Sequence, residues 1–373
     1  MGVGYVEPIL FFYTVMLYIN VPIEKQLIRN KVCLSAYNET TFQTIFMHPT
    51  VEAFVTTETA KWDMINNIVR TVPTIISTVL IGIWSDGVGR KKVMLIPLFG
   101  ETVQAVGYFL NSWFIAKPVE YLFIGSAVTG LCGNLPTMLM IMFAYTADVT
   151  TTQQRTTRII ILDAVVFFAS IISLFIGGHM LMKISLAFGL RFGFVAVYSV
   201  DLVLLVFIFI YYLFLNESYF PTEPLFLRDV CSTRHFHDYA RLLAQKPSSY
   251  YRPKFLLLSG CFCMLFFVTT GVSEMIILYV FHTPLSFTPV DLSLVLVTEA
   301  GVKFMGALLL TLVGVRVLGL RDGTLILVCS LAVAGYASCL GVSRKHWQVY
   351  VSTLWGIGEC EMAVLEQNVP NAL

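Results

Sequence analysis

Long apolar stretches, each closed by a short run of charged or turn-forming residues, repeat along the chain. Ten of them run roughly over 4–22, 64–84, 93–115, 119–147, 159–182, 192–215, 255–281, 290–315, 323–342 and 347–365. A helix that crosses a hydrocarbon core needs about 20 such residues, so each stretch predicts one membrane-spanning α-helix, tilted or with interfacial ends where it is longer. Strands of a barrel would show alternating segments of about ten residues, whereas Phe207 to Phe214 is apolar on every face. The longest polar interruptions are residues 23–62 and 216–254. The second holds Pro221, Pro224, Pro247 and Pro253 and separates six spans over 1–215 from four over 255–373.

Composition agrees with this all-α membrane reading. The 373 residues are 57% hydrophobic and 13% charged, with a mean hydropathy of +0.78, whereas about 25% charged residues is usual for a soluble domain. A water-soluble enzyme is excluded, and membrane lipid is the expected surrounding. The net charge of +1 excludes a strongly basic nucleic-acid binder, and 29 Phe with 17 Tyr exclude disorder. Placing the N-terminus in the cytoplasm puts thirteen of the 24 Lys and Arg on the cytoplasmic side, among them Arg90, Lys91, Lys92, Arg155, Arg158, Arg316 and Arg321, as the positive-inside rule requires. The 23–62 loop then lies outside and carries the sequon Asn38-Glu39-Thr40, a candidate glycosylation site. A second match, Asn216-Glu217-Ser218, falls on the cytoplasmic side and is discounted.

The eight cysteines form no disulfide framework, because six of them sit inside apolar spans, where a thiol behaves as a small hydrophobe. Cys33 is the one in an oxidising loop, and it has no obvious partner. Cys261-Phe262-Cys263 lacks zinc-ligand spacing and a nearby His, so no metal site is assigned. Nucleophile elbows, phosphate-cradling loops and zinc signatures are missing from the sequence, so no enzyme activity and no organic cofactor are expected.

The most specific motif is Gly82-Ile83-Trp84-Ser85-Asp86-Gly87-Val88-Gly89-Arg90-Lys91-Lys92, at the turn between the second and third spans. Gly82 lets helices approach, Gly89 permits a tight turn, and Asp86 can accept charge-assisted bonds. A second polar cluster follows span four, with Asp148, Arg155 and Arg158. The first motif resembles the signature loop of the major facilitator superfamily, and in that family the second cluster takes part in a charge relay with it at the inward gate. The implied pairing is Asp148 or Asp86 with Arg90, Arg155 or Arg158. Solvated interfacial charges are the bland alternative.

Further residues narrow the resemblance. Glu7-Pro8, Trp84-Ser85-Asp86 with Gly89-Arg90, Ala147-Asp148-Val149, Arg155-Thr156 with Arg158, Gly177-Gly178-His179, and Tyr279 with Thr283-Pro284-Leu285 together look like the proton-coupled folate transporter family, solute carrier family 46. That resemblance implies a twelve-helix major facilitator fold, of which about ten helices are present here and the last two are missing. It also implies proton-coupled uptake of folates or other polar, often anionic, organic molecules, with a small organic substrate, protons and membrane lipid as partners and no nucleic acid, in the plasma or an endolysosomal membrane. Asp163 falls where the folate carrier has a Glu linked to proton coupling. Asn134 replaces an Asp, Thr269 a proton-sensitive His, and Ser286 a Cys, which leaves Cys33 unpaired; Met362 lies near the place of an Arg.

Ionisable groups within spans are costly and default to function or pairing. Asp163, flanked by Ile159 to Leu162 and Ala164 to Phe168, is either a proton carrier or a structural hydrogen-bonding group. Glu299 and Lys303, four apart, can neutralise each other on one helix face or serve a cavity. Arg70 and Glu274 are the other candidates for a substrate cavity; Arg70 could equally face Asp63 or a headgroup. Glu101 with Gln104, Asp201, Glu359 and Glu361 are weaker candidates, and Pro73, Pro97 and Pro136 are expected to bend their helices. The function these residues imply is symport by alternating access. A receptor-like or scaffold protein on the same fold, or a facilitator indifferent to pH, is the alternative.

Overall fold

The computed structural model of the chain describes residues 6–37, 49–219, 289–309 and 322–355, with scattered positions between 260 and 287. The described elements are helical: α1 Glu7–Ala36, α2 Pro49–Val88, α3 Arg90–Trp113, a short 3-10 turn Val119–Tyr121, α4 Leu122–Leu131, α5 Asn134–Val149, α6 Thr152–Phe188, α7 Leu190–Phe214, α8 Pro289–Leu309, α9 Asp322–Val342 and α10 His346–Thr353. Five helical stretches are long and apolar enough to cross a membrane among the described residues: 51–88, 90–113, 119–149, 161–188 and 190–214. The chain forms two compact units, Met1–Thr151 with Ile176–Ser232, and Thr152–Phe175 with Thr233–Leu373.

Local chemistry sets several of the helix ends. Pro8 stands in the first turn of α1, where a missing N–H costs nothing. Gly89 divides α2 from α3 at φ +108°, a conformation that side chains with a Cβ rarely adopt, and a Cβ there would also fall 2.8 Å from the Glu217 carboxyl carbon. The fourth span is broken: Gly133 and Asn134 both have positive φ, 87° and 45°. Pro136 therefore lies in the first turn of α5, a position proline tolerates without kinking a helix.

In the first unit α4 packs on α2 and α3, α7 on α1 and α3, and α1 on α2. Glycine makes the tightest of these approaches possible. A Cβ on Gly130 would lie 2.4 Å from the Arg70 carbonyl oxygen, so α4 meets the backbone of α2 directly, as small residues allow between spanning helices. The interior gathers Ile19, Ile23, Leu27, Tyr108, Leu122, Phe194, Val197 and Tyr198. The outward faces are also apolar: Val72, Ile75, Ile76 and Val79 on α2, and Phe207, Ile210, Leu213 and Phe214 on α7, are exposed. Such faces suit lipid tails. In the second unit Val280, Leu285, Phe287, Val295, Tyr336, Leu340 and Val349 form a separate core, with α10 against α8 and α9.

Residues 23–62, read from hydropathy as one long loop, are helical on both sides, with α1 running to Ala36 and α2 starting at Pro49. Charge lowers the hydropathy there, yet the charges are matched across the two helices. Glu24 pairs with Arg70 at 3.3 Å, Lys25 with Asp63 at 3.6 Å and Arg29 with Glu52 at 3.9 Å. Lys31 at the far end donates to the Lys117 carbonyl at 2.9 Å, and Cys33 is a buried free thiol.

Candidate functional site

The α2–α3 turn builds a charge cluster. With Gly89 reversing the chain, Arg90 opens α3 beside the last turn of α2, and one of its terminal nitrogens donates to Asp86 Oδ1 at 2.6 Å and to Ser85 Oγ at 2.8 Å. Its Nε donates to Asp148 Oδ2, at the end of α5, at 3.1 Å. The Asp86 side chain is 64% exposed and that of Asp148 25%. Exposed pairs are worth little, so Asp148 is the stronger partner. Gly82, one turn before Asp86, leaves room for the flexible Met140 side chain of α5, whose Sδ would be 3.0 Å from an added Cβ.

The segment after α7 folds back onto this cluster. Glu217 Oε1 accepts the Lys91 backbone N–H at 2.9 Å, placing a carboxylate at the N-terminus of α3, where the helix dipole favours negative charge. Ser218 Oγ donates to Asp148 Oδ2 at 3.4 Å, and Tyr145 donates to the Asn216 carbonyl at 2.9 Å. Arg90 lies 5.8 Å from the Tyr219 ring and the Lys91 ammonium 5.1 Å from that of Tyr212, distances at which cation–π attraction operates. The discounted sequon at Asn216 thus belongs to a packed strap, and Glu217 is a member of the cluster that sequence reasoning missed. Its only signal was a carboxylate just past the sixth span.

A second polar network lies inside the first unit. Arg70 donates to Glu24 Oε2 at 3.3 Å and to Asn67 Oδ1 at 2.6 Å, and Asn66 donates to the other Glu24 oxygen. Tyr108 gathers Asn66 at 3.4 Å, Gln104 at 3.2 Å and Ser126 at 3.3 Å. Nearby, Tyr13 donates to Glu101 at 3.3 Å. Arg70, a candidate for the substrate cavity, therefore spends its guanidinium on Glu24 and Asn67 rather than on Asp63, which pairs with Lys25. Glu24 was hidden by its assignment to a loop.

The remaining sequence candidates are dispersed. Asn134 sits at the break in the fourth span, its Oδ1 accepting the Leu135 N–H at 2.5 Å. Arg158 and Asp163 are half-buried on the part of α6 that belongs to the second unit. In the same unit Glu299, buried, pairs with Lys303 at 2.7 Å. The Phe168 and Phe304 rings meet at 5.9 Å, which brings α6 against α8 one residue from Lys303. Asn38, Thr269, Glu274 and the side chain of Arg155 lie outside the described residues.

Described residues folded into helices, with lipid-compatible outer faces and stretches long and apolar enough to span a bilayer, define a multi-pass membrane protein. The sequence profile of the Major Facilitator Superfamily matches residues 42–365, and the chain belongs to that superfamily. It is 28% identical over 187 residues to the proton-coupled folate transporter of Bos taurus, covering 48% of this chain and 40% of that protein. It is 29% identical over 171 residues to the lysosomal proton-coupled steroid conjugate and bile acid symporter SLC46A3 of Gallus gallus, covering 43% and 37%. These names agree with the solute carrier family 46 motifs. The matched stretches span less than half the length of either relative. Among solved structures, the human organic anion transporter MFSD10 (TETRAN) aligns at a TM-score of 0.63 and 13% identity, covering 99% of this chain and 89% of that one. FucP in the outward conformation aligns at 0.59 and 13%, covering 97% and 84%. Both support the fold.

Proposed function

We propose that this chain is a proton-coupled symporter that moves a polar or anionic organic solute by alternating access. The observation that carries this reading is Arg90, held between Asp86 and Asp148 on one side of the first unit and strapped by Glu217 to Ser218. Such a cluster can lock one conformation and release it when its charges separate, which is what a gate on the cytoplasmic side requires. Asp163 is assigned the proton. It is a carboxyl in an apolar helix, on the side of the fold where Glu299 and Lys303 supply further charge, and intramembrane carboxylates default to such roles. Asn134, Thr269, Glu274, Glu299 and Lys303 are assigned to the solute path. Arg70, paired with Glu24, is assigned to holding α1 against α2. The names of the relatives, which include proton-coupled carriers of folate and of steroid conjugates, support an anionic cargo.

The test is uptake of labelled folates, nucleotides and peptide-like anions into vesicles under an imposed pH gradient. A symporter accumulates at least one of them, faster with acid outside, and loses that acceleration in Asp163→Ala. Uptake that ignores pH and ionophores would make the protein a facilitator. Binding without accumulation would make it receptor-like.

A further inference from the structure

Asp201 lies midway along α7 and is fully buried. Among the described residues neither of its carboxyl oxygens has a hydrogen-bond partner. α7 packs on α1 and α3, and the groups these three helices turn toward Asp201 are few. From α1 comes Asn20, whose side chain lies within reach of the Asp201 carboxyl; one of its two amide hydrogens goes to the Met16 carbonyl at 3.0 Å, and its Oδ1 has no partner among the described residues. Tyr13 of α1 is spent on Glu101. From α3 comes Glu101, a second buried carboxyl, with Tyr108 committed to the Glu24 network. On α7 itself Tyr198 has a hydroxyl without a partner. The guanidinium of this interior, Arg70, is taken by Glu24.

An ionised carboxylate in such a place, with no cation paired to it and no hydrogen bond made to it among the described residues, is among the most costly groups a protein can bury. Two unmet needs lie on neighbouring side chains here: carboxyl oxygens that accept no hydrogen bond, and an Asn20 oxygen that accepts none either. One added hydrogen on Asp201 answers both, because a protonated carboxyl becomes an O–H donor and Asn20 Oδ1 is the waiting acceptor. A metal cation fits poorly, since hard cations such as calcium want about six to eight oxygen ligands, and the unpartnered oxygens of Asp201, Asn20 and Tyr198 among the described residues fall short of that number.

We propose that Asp201, with Asn20 as its acceptor, is a proton-binding site in the interior of the first unit, separate from Asp163, and that its loading from the acidic side contributes to coupling. The site stands on geometry alone; its part in transport rests on the symport reading.

Full-length chain reconstituted in lipid vesicles tests both parts. Infrared difference spectra between acidic and alkaline buffer should show the carbonyl stretch of a protonated carboxyl that disappears in Asp201→Asn, persists in Asp163→Asn, and shifts in Asn20→Ala. Asp201→Asn keeps size and shape and provides the neutral form, so its melting temperature should be retained and should no longer respond to pH through this site. A band untouched by Asp201→Asn would overturn the proposal, and so would one displaced by sodium at constant pH. In the same vesicles, uptake by Asp201→Asn should lose part of its acceleration by acid. Loss of the band with the acceleration intact would leave the proton site standing and remove it from coupling, whereas failure of the symport reading would appear as pH-independent uptake in the unaltered protein.

Discussion

Replacing Arg70 by Met separates a structural cation from one that meets the solute. Glu24 is 6% exposed, and its two oxygens accept from Arg70 at 3.3 Å and from Asn66. Without the guanidinium, a buried carboxylate keeps only an amide donor, and breaking a buried ion pair by removing one partner costs about 3–5 kcal/mol. The Arg70 side chain is 23% exposed, so solvent screens part of the pair and about 3 kcal/mol is expected. Adding Glu24→Gln removes the stranded charge while preserving a group that can bond Asn66. The double variant should then lose only the hydrogen bonds, about 1 kcal/mol. The difference, about 2 kcal/mol, is the cost of the stranded Glu24 charge and corresponds to about a thirtyfold change in an equilibrium constant. Denaturant or thermal unfolding of the four purified proteins in one detergent measures it. Single and double variants equally destabilised would refute the reasoning. So would an Arg70→Met protein of normal stability whose uptake alone is lost, because Arg70 would then serve the solute.

Gly130→Ala places a Cβ where the Arg70 carbonyl oxygen lies 2.4 Å away; α4 must move off α2, and overpacking of this kind costs about 1–3 kcal/mol, visible as a lowered melting temperature. Arg90→Lys keeps the charge but gives up the planar fork that reaches Asp86, Ser85 and Asp148 together; a loss of about 1.4 kcal/mol from the locked state changes its population about tenfold, read as altered accessibility of cysteines introduced at the α2–α3 turn. Asp148→Asn should disturb that population more than Asp86→Asn, because Asp86 is largely exposed and exposed pairs contribute about 0–1 kcal/mol; equal effects would contradict the assignment of Asp148 as the stronger partner.

The sequence by itself determined the class of this protein. Apolar runs of spanning length, a charge content far below that of soluble chains, and the Gly82 to Lys92 motif between the second and third spans suffice, because hydropathy and turn chemistry are local properties of consecutive residues. Local reading went astray where partners are distant. Glu24, Lys25 and Arg29 look like loop residues until Arg70, Asp63 and Glu52 are set opposite them on a second helix. The fourth span reads as one apolar run, and only the backbone at Gly133 and Asn134 divides it. Arg90 was visible as one of several cations with several possible acids; the choice of Asp148 with Asp86, and the strap from Glu217 to Tyr219, come from the approach of α5 and the end of α7. Asp201 was one polar residue among many in apolar helices, and its isolation appears only when the rotation of α1, α3 and α7 is known. Which side of a helix faces a neighbour is decided by packing over tens of residues, and that decides whether a buried charge has a partner or needs a proton.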